Sequence, residues 1–105
     1  MLLTAVIRDV YTCPVGYEWL PAVLAALRGI EAYEVIQALS AEQRWPRPAT
    51  GPHGIPVMTI SARTGAGRRL IVVVRHAGGF DWWIVGAREM TPTEAGEFER
   101  WEAER

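Results

Sequence analysis

The sequence predicts an α+β fold of order β-α-α-β-β-β-α: a small antiparallel sheet packed by two N-terminal helices and one C-terminal helix. Three observations predict it. Apolar residues recur at helical spacing between Trp19 and Leu39. Three β-branched, alternating runs follow between residues 57 and 88, joined by glycine-rich turns. Thr91-Pro92-Thr93-Glu94 then opens a last helix. A chain of 105 residues fits one domain, 1–105, and half of it is hydrophobic.

The elements follow in order. Residues 2–8 read as a first strand, and Tyr11 to Gly16 as a loop punctuated by Pro14 and Gly16. From Tyr17 the pattern is helical, with Trp19, Leu20, Val23, Leu24 and Leu27 on one face and Pro21 in the first turn. Gly29 is the expected C-cap. A second helix spans 31–39, with Tyr33, Ile36 and Leu39 on one side. Residues 44–56 hold four Pro and two Gly and read as a long loop carrying Arg44, Trp45, Arg47 and His53.

Strands are expected at 57–63, 69–76 and 80–88. The middle run is nearly continuous in apolar residues, as in a strand covered on both faces. Gly78-Gly79 marks the hairpin into the last strand. Strict alternation there puts Phe80, Trp82, Ile84, Gly86 and Arg88 on one face, and Trp83 on the other. In an antiparallel hairpin Arg75 and His76 sit by the turn, with Arg88 at the far end near Arg63, Arg68 and Arg69, so the charges form two clusters. The last helix has Thr91 as N-cap, Pro92 at N1, Glu94 at N3, and a stripe of Ala95, Phe98 and Trp101.

Charge is unevenly spread. Residues 1–43 carry two Arg against five acids; residues 44–88 carry seven Arg against Asp81; residues 89–105 carry six Glu against two Arg. Two readings follow. The basic middle meets an anionic partner, or the acidic tail packs against the basic sheet. No run approaches the roughly 20 apolar residues of a membrane span. The apolar N-terminus meets Arg8-Asp9 quickly and reads as a strand, not a signal peptide. One cysteine, Cys13, allows no internal disulfide and fits a reducing cytoplasm. Two His and one Cys without ligand spacing give no metal site, and no cofactor motif is present.

Arginine with one or two histidines can run RNA cleavage without a metal. The 2′-hydroxyl attacks its own phosphate, a base takes the proton, an acid serves the leaving oxygen, and arginine stabilises the phosphorane. Histidine fits the acid or base role because it titrates near neutrality. The candidates are Arg88, His76 and Arg75 for chemistry, and Arg63, Arg68, Arg69, Trp83 and His53 for RNA binding.

The segment "RRLIVVVRHAGGFDWWIVGAREMTPTEAGEFERWE" resembles the BrnT family of bacterial type II toxins, with its "RLLVVVHT" strand and "IRIISAR.AT..ER..YE" entry to the last helix. "LRGIEAYEVI" is similar to the family's "KHGVSFEEA" joint. The resemblance covers about residues 24–102. It implies a RelE-like fold and a ribonuclease toxin that inhibits translation. It also implies a cognate DNA-binding antitoxin as partner and RNA, including ribosome-associated mRNA, as target. The family's "SAR" arginine falls on Arg88. Its strand-end histidine falls on Arg75, the "IRIIS" arginine on Trp83 and the "SAR" serine on Gly86; the typical N-terminal "FEWD" opening is absent. The alternative is a non-catalytic protein-binding module that uses the basic, Trp-bearing sheet surface.

Overall fold

The structure is a computed structural model that describes residues 16–79 and 81–105. The strand expected at 2–8, Cys13 and the placement of Phe80 lie outside the described residues. The described elements are β1 (Tyr17–Trp19), α1 (Pro21–Ala26), α2 (Ala32–Leu39), β2 (Trp45–Thr50), a 3-10 turn (Pro52–Gly54), β3 (Pro56–Arg63), β4 (Arg69–Gly78), β5 (Asp81–Glu89) and α3 (Pro92–Ala103). The result is α+β, with a five-stranded sheet ordered β1-β5-β4-β3-β2. β2 to β5 form an antiparallel meander, but β1 runs parallel to β5, so the sheet is mixed and not purely antiparallel. No described helix is long and apolar enough to cross a membrane.

Two expectations are corrected in the first half. The helix expected from Tyr17 is a strand followed by a shorter helix. Tyr17 and Trp19 pair with Trp82 and Ile84 and turn toward the core, while Glu18 between them is exposed. Leu20, held extended before proline, ends the strand, and Pro21 starts α1. Helix α1 stops at Ala26, and Gly29, at φ 72°, serves the connection to α2 beyond the helix end.

The expected 44–56 loop is largely the edge strand β2. Pro46 and Pro48 hid it, since proline disfavours a central strand. Their spacing of two puts both missing N–H groups on the same side, and an edge tolerates that on its outer rim. Trp45, Arg47 and Ala49 stand opposite Ser61, Thr59 and Val57 of β3.

The core lies between the sheet and α2. Val35, Ala38 and Leu39 are fully buried at helical spacing, against Ile60, Ala62, Leu70, Val72, Val74 and Ile84. The other face receives α3 through Ala95 and Phe98, both buried, and through Trp101, which stacks on Trp45 with centroids 5.5 Å apart.

A bulge divides β5. Val73 faces Gly86, but Val74 faces Ile84, so Val85 has no partner. The extra residue changes the phase of the strand. Trp82 and Ile84 point to the α2 side with Val74, whereas Gly86 and Arg88 belong to the α3 side with Val73 and Ile71. Trp83, opposite Arg75, therefore shares a face with Arg88. Strict alternation had separated them.

Candidate functional site on the α3 face of the sheet

Residues Arg63, Arg69 and Arg88 are gathered at one end of this face by register. Arg63 stands opposite Arg69, and Ile71, two residues on, stands opposite Arg88. Like charges facing each other across strands repel. Helix α3 answers them with three glutamates, of which Glu99 and Glu102 are one turn apart. Glu102 takes Arg63 in two hydrogen bonds of 2.9 Å. Glu99 pairs with Arg69 and lies 3.7 Å from Arg63, so it bridges the two arginines. Glu94 holds Arg88 at 2.6 and 2.7 Å.

Helix α3 can reach Arg88 because of its cap. Thr91 Oγ1 accepts from the Glu94 N–H at 3.2 Å, and Glu94 Oε1 accepts from the Thr91 N–H at 2.9 Å. This is the capping box that the sequence predicts. Helix α2 repeats the device: Glu34 accepts from the Glu31 N–H at 2.9 Å and also takes Arg68 at 2.9 Å. Arg68 reaches Glu89 as well, at 2.8 Å.

These contacts move the acidity of the partners. The Arg88 guanidinium, helped by the Thr91 N–H, pushes Glu94 down to about 2 despite the opposing effect of burial. The Glu31 N–H, followed by Arg68, lowers Glu34, and Arg68 lowers Glu89. Arg63, Arg68 and Arg88 are raised by Glu102, by Glu89 and Glu34, and by Glu94 respectively. Arg63, Arg68, Arg69 and Arg88 are all engaged within the chain. Of the two readings of the uneven charge, internal neutralisation describes this end of the sheet.

The sequence-derived trio is not assembled in one place. Arg75 lies four residues along β4 from Ile71, the partner of Arg88, which is about 13 Å of strand. His76 pairs with Trp82 and faces the α2 side, opposite to Arg75. Its Nε2 is 2.8 Å from the Gly79 carbonyl, and its ring meets Trp82 edge-on at 5.0 Å. His76 therefore braces the hairpin turn. His53 sits exposed in the turn between β2 and β3, with φ 61°. The two expected clusters of charge are real, and the turn cluster is itself split between faces.

Further residues belong to this face and were not among the site candidates from the sequence. Arg47 lies over Trp45 at 4.0 Å, and Arg105 lies over Trp101 at 4.6 Å. With the two indoles stacked, these rings are occupied on their faces and offer no platform for a base. Trp83 differs: no aromatic ring or guanidinium among the described residues covers it. Glu18 stands beside it on β1 and Arg75 beside it on β4. Glu18 was hidden because its segment carried a helical pattern. The bracing glutamates had a signal, the acidic last helix, but not their partners.

No protein-family model, curated protein or solved structure matches this chain.

Proposed function

We propose that the chain is a BrnT-like type II toxin, a ribonuclease that inhibits translation without a metal, acts in the cytoplasm and is neutralised by a cognate DNA-binding antitoxin. One observation carries this reading. The "SAR" arginine, Arg88, stands at the end of β5, at the entrance to the capped helix α3, where it is held by Glu94. A RelE-like arrangement belongs to the same proposal.

In this reading Arg88 serves the RNA phosphate at the junction of β5 and α3, where it exchanges Glu94 for a phosphate oxygen. Arg75 is the exposed cation opposite Trp83. His76, on the opposite face, acts by holding the turn.

The test is induction of the chain in a bacterial host with growth and total translation followed. Arrest that is relieved by co-expressing a small DNA-binding neighbour is expected. Unchanged growth and translation overturn the reading. Arg88→Ala, Arg75→Ala and His76→Ala are then compared. If all three keep full toxicity, the site is elsewhere.

A second reading, a non-catalytic protein-binding module, draws on a different observation. Four of the nominated arginines are already neutralised by glutamates of the same chain. Purified protein that leaves RNA intact yet captures a partner through Trp83 and Arg75 favours this second reading.

A further inference from the structure

The half of the sheet face beyond α3 carries one cross-strand row of chemical interest: Glu18 on β1, Trp83 on β5 and Arg75 on β4, partners in register. Glu18 and Arg75 are exposed, and Trp83 is partly buried between them. Paired residues on adjacent strands share a face at about 4.8 Å strand spacing, so the carboxylate and the guanidinium flank the indole about 10 Å apart. No ion pair or side-chain hydrogen bond of Glu18 or Arg75 is present among the described residues. This separates the row from the neutralised arginines at the α3 end.

An indole that no described ring or guanidinium covers, with an acceptor on one side and a cation on the other, matches a single nucleotide. A splayed-out base stacks on an aromatic ring and is read by hydrogen bonds along its Watson–Crick edge. A carboxylate is acceptor-only, with two oxygens. Guanine alone among the four RNA bases presents two adjacent donors on that edge, N1–H and N2–H. Adenine and cytosine present one donor beside an acceptor, and uracil presents one donor between two acceptors. Arg75 then meets the negative phosphate.

We infer that the Glu18–Trp83–Arg75 row is a guanine-nucleotide subsite for single-stranded RNA. The inference rests on the ribonuclease reading and adds a base preference to it. Next to Trp83, the floor is shallow. Gly86 lies opposite Val73, and a Cβ built on Gly86 meets nothing within 4 Å. A neighbouring nucleotide can thus run from the row toward Arg88.

The experiment uses the full chain and fluorescein-labelled heptaribonucleotides of uridine with G, A, C or U at the centre, followed by anisotropy at matched salt and repeated over a salt series. The guanine oligomer is expected to bind at least about fivefold more tightly than the other three. Glu18→Gln should bring it down to their level. Trp83→Ala should weaken all four by at least about fivefold, with Trp83→Phe restoring most of the loss; Phe also guards against a folding defect. Arg75→Ala should weaken all four and flatten the salt dependence. RNA bound or cleaved without guanine preference, or a preference that survives Glu18→Gln, overturns the subsite and leaves the ribonuclease reading standing. No RNA binding together with no effect on translation overturns both.

Discussion

Glu94 of α3 grips Arg88 of β5 through both carboxylate oxygens, at 2.6 and 2.7 Å, while its Oε1 also accepts from the Thr91 N–H. One side chain thus caps the last helix and ties it to the last strand. The pair predicts an asymmetry. Glu94→Ala loses both cap and pair, and should cost about 1 kcal/mol more than Arg88→Ala, which loses only the pair. Coupling in a double-mutant cycle should be about 0.5–1 kcal/mol, because Arg88 is half exposed. Equal losses from the two single variants would refute the dual role. Under the ribonuclease reading, Glu94→Gln raises RNA affinity and Arg88→Ala lowers it.

Acid should loosen the fold in a defined window. Glu94 is pushed down to about 2, well below the roughly 4.3 of a free glutamate, and Glu34 and Glu89 are lowered too. A depressed carboxylate stabilises the fold above its unfolded value. That contribution is lost as pH falls from about 4.5 toward about 2. Melting temperature followed from pH 7 to pH 2 should drop across that interval. Glu94→Gln should flatten the drop; an unchanged slope in the variant argues against the assignment.

Glu99 stands between two arginines that face each other across β3 and β4. Glu99→Gln leaves Arg63 beside Arg69 with only Glu102 in place. The expected loss exceeds the 0.2–1 kcal/mol typical of one exposed pair and should lower the melting temperature by about 4–8 °C. Added salt should narrow the gap from the wild type by screening the repulsion. A gap that widens with salt would contradict this account.

The β5 bulge makes a sharp prediction. Deleting Val85 makes Ile84 and Gly86 chain neighbours opposite Val74 and Val73, in a regular ladder. Trp82 and Ile84 then keep the α2 side, and Gly86 and Arg88 keep the α3 side. Ile84 stays in the core and Arg88 stays with Glu94. The deletion should therefore keep cooperative unfolding, as should Val85→Ala. A deletion variant that loses cooperative unfolding would show that the register across the bulge is not what sets the two faces.

Much of the fold is legible in residue order. The two hairpins and the Thr91–Glu94 box depend on neighbours within a few residues, and local pattern reports such neighbours well. Ala95, Phe98 and Trp101 face the sheet for the same reason. The stripe of α2 was misplaced: Tyr33 is exposed, and Val35 and Ala38 join Leu39 in the core, because the face that packs is chosen by the sheet beneath it. Two strands were hidden because their local signals point elsewhere. In Trp45–Thr50, Pro46 and Pro48 mark a loop unless the strand lies at an edge. In Tyr17–Trp19, alternation is too short to outweigh the helical spacing that follows.

By itself the sequence determined the Thr91 cap, the two hairpins of β3 to β5, the basic middle and the acidic end. Those are properties of spacing and composition. Only the tertiary structure decided which charges meet. Arg63 and Glu102 are 39 residues apart, as are no local pair, and strand register with helix docking brings them to 2.9 Å. The same register placed one unpaired residue, Val85, in β5 and so set Trp83 on the face of Arg75 and Arg88. A bulge leaves no mark in the hydrophobic pattern of its own strand, because its position is fixed by the partner across the ladder.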